Sequence, residues 1–279
     1  DIYMDPATVT NMAYLAANTG ANINDNLYTI NLATGMVTSV GMIGSGLDVK
    51  NIAVVIDRTM PAVTGKMVYA LQGAALISFD SDNPKFIRSS MTITGISAGQ
   101  SIVGIDFRPK NGVLYALGYN MTTMEYQLYT ISTSTAAATA VNATATAINL
   151  GSTGMVAFDF NPVADRIRVI SRANGMNYRL NPDNGAIAAT DTTVMYISGD
   201  ANAGKMPRIG AVAYTNSYVN AKTTELFALD DSLGAYIKIN SPNGGTLSTV
   251  MNGSYTVNLS DMTTDIDFFY DSTSVSNKG

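Results

Sequence analysis

The chain reads GIDFRPKNGVLYALG at residues 104–118, and it reads VAFDFNPVADRIRVIS at residues 156–171. Both stretches begin with apolar residues, continue through Asp-Phe to a turn that contains Pro, and end in a second run rich in β-branched or aromatic residues. Alternating apolar runs on either side of a short polar turn predict a pair of antiparallel strands. Because the same pattern occurs twice, it indicates a repeated structural unit.

A second recurring element follows these strand pairs. LYTINLATGMVTSVG at 27–41 and LYTISTSTAAATAVN at 128–142 each contain a strand, a turn of small polar residues and another strand. Weaker copies with the same outline begin at Leu76, Asn177 and Ala235. Further strand pairs are predicted within residues 51–71 and 211–230. The complete unit is therefore four antiparallel strands with a period of about fifty residues, which is typical of β-propeller blades.

The two ends of the chain complete one unit. MAYLAA at 12–17 predicts a second strand without a first, and DIDFFYD at 265–271 predicts a first strand without a second. Pairing of residues 265–271 with the N-terminal blade would close the ring and remove the open sheet edges. The sequence thus predicts an all-β fold, a β-propeller of about five four-stranded blades. Six blades are the alternative if residues 42–52 or 190–210 hold further strands.

This organisation predicts a single β-propeller domain over residues 12–271. Residues 1–11 would be an N-terminal tail and residues 272–279 a C-terminal tail. Ile2, Tyr3 and Met4 form a β-capable stretch that could add to the open sheet edge of a neighbouring subunit. Such a head-to-tail contact does not close and therefore builds a filament. The alternative is that both tails fold back on their own propeller.

The motifs also resemble a known family. GIDFRPxxGxLYALG at 104–118 and FDFNPxADRIRV at 158–169, with NYRLNPDNGAI at 177–187, occur together and in this order in an uncharacterised family of exported bacterial repeat proteins. That family is known only as a domain of unknown function, and the resemblance covers nearly the whole chain. It implies a β-propeller-like fold and secretion, and it implies no catalytic residue.

Composition limits the classes of function. Charged residues make up 13% of the chain, and the formal net charge is −5, so polarity comes mainly from Thr, Ser, Asn and Gly. An acidic chain without a basic patch cannot neutralise phosphates, which argues against nucleic acid as a partner. No apolar stretch reaches the length of a membrane span. The uncharged polar surface, and an opening DIYMDP that resembles a processed mature form, favour an extracellular or cell-surface protein.

Catalysis has few candidate residues. The chain contains no His and no Cys, which leaves out catalytic triads, thiol nucleophiles, and imidazole or thiolate metal sites. Asp106, Asp159 and Asp267 hold the same place in three predicted first strands, where they could converge as the carboxylates of a hydrolase or lyase. The alternative is that each accepts hydrogen bonds from turn amides or a nearby Arg. Repetition favours this structural role, so we predict no catalytic residue and no enzyme activity.

A cluster of charges distinguishes the second motif. Arg166 and Arg168 alternate with apolar residues and so share one strand face, from which two guanidinium groups could clamp an anion. Pairing of Asp165 with an Arg beside the turn is the simpler interpretation. The sequence identifies no ligand. The candidate structural or channel cluster comprises Asp106, Asp159, Asp165, Arg166 and Arg168.

Other candidate sites are weaker. We predict no cofactor and no metal site; Ca²⁺ is the one ion that the acidic turns at 80–83, 181–185 and 261–267 could hold, although turns favour Asn and Asp in any case. Asn120 and Asn252 begin glycosylation sequons in predicted loops. A sugar-stacking platform would use tyrosines near irregular connections, namely Tyr119, Tyr126, Tyr214 and Tyr218.

These observations lead to one main functional hypothesis. We expect a non-enzymatic extracellular structural protein, the subunit of a self-assembling surface filament or layer, whose partner is a further copy of itself. The alternative is a secreted binding or adhesion module that recognises a glycan or a protein through its propeller loops. A carboxylate-based hydrolase or lyase is the third hypothesis.

Overall fold

The protein is all-β, with its strands arranged in successive sheets. A computed structural model describes residues 1–6, 8–20, 24–56, 59–151, 155–253 and 264–279. No helix occurs in this part of the chain, and so no helix there could cross a membrane. Packing divides the chain into two compact units, one formed by residues 1–70 and 77–90 and the other by residues 71–76 and 91–279.

The N-terminal sheet has four antiparallel strands in chain order. They are β1 (Ile2–Asp5), β2 (Thr10–Ala17), β3 (Asn26–Ile30) and β4 (Val37–Met42). The predicted pairing of residues 265–271 with this sheet is not found among the described strands: β1 occupies that edge and pairs with Thr10–Ala13. A tight connection makes this local pairing favourable: the Thr8 hydroxyl donates to the Asp5 carboxylate over 2.8 Å.

The second sheet has three strands rather than four. They are β5 (Met67–Gln72), β6 (Ala75–Asp80) and β7 (Asn83–Thr92). The additional strand predicted after residue 51 is not found in 51–56 or 59–66. Instead, the Asp80 carboxylate accepts the backbone N–H groups of Thr64 and Gly65 over 2.8 and 2.9 Å. A side chain thus satisfies these donors, and no sheet ladder forms.

Three larger sheets form most of the second unit, and two of them contain the quoted motifs. Each is a four-stranded antiparallel meander, and two gain a short extra strand: β12 beside β10, and β17 parallel to β21. The first of these sheets contains β8 (Ser101–Phe107), β9 (Leu114–Asn120), β10 (Glu125–Ile131), β11 (Ala138–Ala140) and β12 (Thr146–Ala147). The next contains β13 (Val156–Asn161), β14 (Arg166–Ser171), β15 (Asn177–Leu180) and β16 (Ile187–Asp191). The last contains β17 (Met195–Tyr196), β18 (Ile209–Tyr214), β19 (Leu226–Asp230), β20 (Ala235–Ser241) and β21 (Thr246–Asn252).

The chain ends in a hairpin of β22 (Phe269–Asp271) and β23 (Ser276–Lys278). The segment predicted as a C-terminal tail therefore supplies one of its strands. Asn216 and Asn277 bond reciprocally: the Asn216 backbone N–H donates over 2.6 Å and the Asn277 amide over 2.9 Å. The rings of Tyr218 and Tyr270 lie 4.5 Å apart. This hairpin thus packs beside the connection that follows β18, in the same unit.

The core of the second unit lies between successive sheets. Residues of β9, β10, β13 and β14 share one buried apolar cluster, in which Tyr119, Tyr126 and Phe160 are almost fully enclosed. The two buried hydroxyls donate to the carbonyls of Gly151 and Gly185 over 2.9 and 2.5 Å. Tyr119, Tyr126 and Tyr214 lie within one residue of a strand end, beside the connections as predicted. All three are buried, however, and a buried hydroxyl needs such a partner, so they do not form an exposed sugar-stacking platform.

Two successive sheets approach each other closely at Gly104 on β8. A Cβ at this position would lie 2.5 Å from the Phe158 Cβ on β13. We expect Gly104→Ala to destabilise the protein by about 1–3 kcal/mol, because the sheets must separate or Phe158 must leave its rotamer. Urea unfolding monitored by tyrosine fluorescence measures this, since the chain has 15 Tyr and no Trp. Ser101→Ala, at an exposed position of the same strand, should be close to neutral. Equal effects of the two substitutions would contradict this close packing.

Candidate functional site

Three aspartates converge within the second unit. Asp106 on β8, Asp159 on β13 and Asp267 just before β22 hold equivalent places in the repeat, and one carboxylate oxygen from each lies within 4.8 Å of the others. The convergence predicted from the motif alignment is therefore present. Asp106 and Asp159 are buried, whereas Asp267 keeps exposed surface.

The two buried carboxylates connect successive sheets. Asp106 Oδ2 accepts the backbone N–H of Phe160 over 2.8 Å, and Asp159 Oδ2 accepts that of Tyr214 over 2.6 Å. Each Asp thus bonds the aromatic residue at the equivalent place in the next first strand. The third repeat has Ala213 in place of the Asp, so it cannot make this forward bond. Asp267 instead accepts the N–H of its own neighbour, Phe268.

The surroundings of these three carboxyl groups raise their pKa values and so favour the protonated forms. Burial, and then the charge of Asp267, raise the pKa of Asp106 to about 8. Burial and the neighbouring carboxylates hold the pKa of Asp159 well above its usual range. Burial and Asp265 raise the pKa of Asp267 to about 6. A side-chain hydrogen bond joins Asp159 to Asp106, which requires one of the two carboxyl groups to carry the proton.

This geometry fits a structural hydrogen-bonded node better than a hydrolytic pair. The buried carboxylates are engaged by backbone N–H groups of two strands and by each other. A hard cation could bridge carboxylate oxygens at this spacing, although the N–H donors that the two buried Asp accept would compete with it. Of the turns considered for Ca²⁺, Asp80 accepts turn amides, Asp183 pairs with Arg108, and residues 261–263 lie outside the described residues.

Asp165 pairs with Arg108, which lies 57 residues earlier in the chain. Its carboxylate receives both Nε and Nη2 of Arg108, over 2.7 and 2.6 Å, and Lys110 adds a third contact at 3.2 Å. These cations hold the pKa of Asp165 below its usual range. The backbone of Asp165 is left-handed, with φ of 49°, a conformation that Asp and Asn tolerate. The pair joins the turn after β8 to the turn after β13.

Arg166 and Arg168 line the same cleft, as their alternation predicts, while Ile167 and Val169 are buried in the core. Arg168 is buried and bonds Asn177, Asp191 and Asn243. The Asp191 carboxylate also receives Arg179 over 2.8 and 2.9 Å. Arg166 donates to the carbonyl of its neighbour Asp165 over 2.8 Å.

Sequence reasoning missed a further ion pair between sheets. Arg172, just after β14, donates Nε and Nη2 to Asp231, just after β19, over 2.5 and 2.8 Å. Arg208 donates to the backbone carbonyls of Arg172 and Ala173. The adjacent acids Asp230 and Asp231 at the end of a predicted strand were the available signal, but the partner lies 59 residues away.

The remaining predicted residues lie at strand ends or on β1. Asn120 and Asn252 were expected in loops, yet each is the last residue of a strand, and both side chains already accept hydrogen bonds. Ile2, Tyr3 and Met4 pair with Ala13, Met12 and Asn11 of the same chain. The structure thus places the predicted assembly segment in an intramolecular sheet, and its role in assembly stays a prediction.

Comparison with known proteins agrees with the motif resemblance. The family model described as "Domain of unknown function (DUF4394)" matches residues 1–53 and 75–279, and the chain belongs to this family. No curated protein matches the sequence significantly. Among solved structures, a protein of unknown function from Bacteroides caccae is similar, with 10% identity, coverage of 87% of this chain and 73% of that one, and a TM-score of 0.41. A streptogramin B lyase shows 9% identity, coverage of 91% and 86%, and a TM-score of 0.39.

The raised pKa values of the aspartate cluster make stability depend on pH. The folded protein keeps protons that unfolded Asp releases near pH 4, so this contribution to stability is complete below about pH 4 and is lost as pH rises toward about 8. Asp159→Asn replaces a protonated carboxyl with an amide that can still accept from Tyr214 and donate to Asp106. We expect the decline of the unfolding free energy between pH 5 and 8 to become shallower, by up to about 1.4 kcal/mol per pH unit. Urea unfolding at several pH values measures it.

Asp165→Asn is the matched control of opposite sign. The lowered pKa of Asp165 means that its ion pair stabilises the protein above about pH 4, and that this gain is lost as pH falls through the folded pKa. Asn keeps the left-handed backbone, so the substitution should cost roughly 1–3 kcal/mol at pH 7 and much less at pH 3. Identical pH profiles for the two variants would contradict both assignments.

Proposed function

We propose that this member of the family is a non-enzymatic extracellular structural protein, a subunit that assembles with copies of itself into a surface filament or layer. The observation that supports the proposal is the N-terminal sheet. It presents an apolar face built from all four strands, and much of that face stays exposed. The aspartate cluster, engaged in backbone hydrogen bonds, supports a scaffolding role over a catalytic one.

The strand register defines this face. Residues directly opposite each other in antiparallel strands lie on the same side of a sheet. Ile2 pairs with Ala13, which pairs with Ile30, which pairs with Val37. Asn26, opposite Met42, and Tyr28, opposite Leu15, continue the row. More than a third of the surface is exposed in the apolar members Ile2, Met4, Leu15, Val37 and Met42.

The rest of the chain shows what covers such a face. In the second unit, the apolar faces of successive sheets pack against one another, and five of the first six residues of β9, among others, are apolar and buried. Among the described residues of the first unit, Ala13 alone is a buried apolar residue. Because this protein covers apolar sheet faces with sheets of the same kind, the complementary occupant is the corresponding sheet of a second copy.

The edges of the sheet provide a direction of growth. All six residues of β4 are exposed, and β1 at the opposite edge runs antiparallel to β4. A neighbour displaced along the hydrogen-bonding direction would place its β1 antiparallel beside β4. Ile2, Tyr3 and Met4 would then lie at the contact. This heterologous arrangement does not close, and it therefore propagates.

We also propose that the successive sheets are blades of a β-propeller with about five blades. Four of the sheets contain a four-stranded meander in chain order, and the forward bonds of Asp106 and Asp159 connect three first strands. The second candidate function is a secreted binding or adhesion module. It is favoured by the polar clefts between sheets in the second unit.

Single cysteines test the proposed assembly directly, because the chain contains none of its own. We expect Met42→Cys, on the exposed face, to yield covalent dimers with a short bis-maleimide cross-linker, resolved on denaturing gels, since one thiol per chain can join only two chains. Val219→Cys, which is similarly exposed in the second unit, should yield few. Electron microscopy and light scattering of the unmodified protein should show assemblies far larger than 29.4 kDa.

Charge on the same face supplies the second arm of the test. Val37→Lys should shift the protein toward monomer, because a buried ammonium group at the interface is costly, while Val219→Lys should not. Deletion of residues 1–11 is unsuitable, since it would remove β1 and part of β2. The proposal is overturned if the whole protein is monomeric at tens of micromolar and gives no cross-linking through position 42.

A further inference from the structure

A polar cleft between two sheets of the second unit carries a separate inference. Its volume is about 340 Å³, at the lower end of the range of about 300–1,000 Å³ for small-molecule pockets. Arg166 and Arg168 on β14 and Arg179 on β15 form one wall. Tyr214 on β18 forms the other, together with residues 240–243 at the end of β20 and the start of the following turn. The cleft therefore lies where side chains from both sheets meet.

The charge of the cleft is unbalanced. Two of its guanidinium groups, Arg168 and Arg179, share the single carboxylate of Asp191. The nearest acid in sequence to Arg166 is Asp165, which is engaged by Arg108 and Lys110. Among the described residues, Arg166 forms no ion pair, and its bond goes to a backbone carbonyl. The cleft thus concentrates positive charge in a chain whose net charge is −5, and an anion would compensate it.

The polar groups left over in the cleft are mostly donors. Arg168 occupies the oxygens of Tyr214 and Asn243, which leaves the Tyr214 hydroxyl hydrogen and the Asn243 amide hydrogens without a described acceptor. The Asn161 oxygen accepts the N–H groups of Val163 and Ala164, so its amide nitrogen also remains as a donor. Donors that surround a cleft match the oxygens of an anion rather than a cation.

Asn240 differs from the other lining residues because it offers an acceptor, and this limits the class of ligand. The Asn240 amide nitrogen donates to the Ser248 hydroxyl over 2.5 Å, which leaves its carbonyl oxygen to accept a hydrogen bond. A bare anion such as sulfate has no hydrogen to donate there, whereas a hydroxylated anion has. Pro242 adds an apolar surface on the same wall. A compact ring that carries one carboxylate and several hydroxyls satisfies all three features.

The cleft also continues beyond one such ring. A second cavity of about 340 Å³ shares Asn161, Tyr214, Asn240 and Pro242 with the first. Lys238 and Glu225 form an ion pair along that second cavity, so its charge is balanced. A chain of sugar rings could therefore extend from the positively charged cleft into a neutral one.

We propose that the cleft binds a uronate unit of an acidic oligosaccharide, with the Arg166 guanidinium holding the sugar carboxylate and the Asn240 carbonyl accepting a ring hydroxyl. The site lies wholly within residues 161–243. This inference rests on the second candidate function, the binding module, and it is independent of self-assembly through the N-terminal sheet.

Isothermal titration with trigalacturonate, and with neutral galactotriose as the matched probe, tests the assignment. We expect trigalacturonate to bind and galactotriose to bind at least tenfold more weakly. Arg166→Gln should weaken binding of the acidic trimer tenfold or more, while Lys205→Gln, at an exposed cation of the second unit that lines neither cavity, should leave it unchanged. Binding should also weaken as salt is raised from 50 to 300 mM, because it depends on an ion pair.

A second variant distinguishes loss of the binding site from misfolding. Asn240→Asp keeps the side-chain shape, adds a negative charge to the cleft, and should also weaken trigalacturonate binding tenfold, with an unchanged melting temperature. Equal binding of both trimers overturns the uronate assignment but leaves a glycan-binding function standing. Absence of binding to either overturns both. Displacement of the trimer by equimolar inorganic sulfate identifies a simple anion site and overturns the role assigned to Asn240.

Discussion

Two buried carboxylates, each hydrogen-bonded to the first strand of the following sheet, hold successive sheets of the second unit together. Asp106 accepts the amide of Phe160, and Asp159 accepts the amide of Tyr214. Each bond fixes the first strand of one sheet to that of the next at an equivalent residue. The close approach of Gly104 to Phe158, and the burial of the core tyrosines, occur where this spacing is held. The arrangement brings carboxylates together, and their mutual repulsion and desolvation are relieved by protons.

Two of the ion pairs connect sheets of the second unit. Arg108 with Asp165 and Arg172 with Asp231 are bidentate pairs that connect successive sheets of the second unit. Bidentate guanidinium–carboxylate pairs fix relative geometry as well as contributing energy. Among the described residues, Arg166 forms no ion pair and bonds a backbone carbonyl instead, as Arg88 and Arg208 also do. In the N-terminal sheet, the surface without a partner is the exposed apolar face.

The sequence predicted much of this arrangement because periodic information is local. The Asp-Phe-x-Pro motifs identified β8 and β13 and the convergence of their aspartates, since equivalent positions of a repeat become equivalent positions in space. The alternation of Arg166 with Ile167 correctly predicted a shared face. The partner of Asp165 could not be predicted, because Arg108 lies 57 residues away and only the turn geometry brings them together. Likewise, the apolar run after residue 51 resembles a strand, but the Asp80 carboxylate takes the nearby amide donors.

The bonds of Asp106 and Asp159 both point from one repeat to the following one, so one contact recurs at two successive junctions. A repeat gained by gene duplication would bring both an Asp carboxylate and an aromatic amide, so the same bond could form at each new junction. Ala213 ends this series: the repeat that contains it receives a bond from Asp159 but offers none onward. The C-terminal segment is attached by other means, through Asn277 and Tyr270. One alanine therefore marks the point in the chain at which the forward bond between repeats stops.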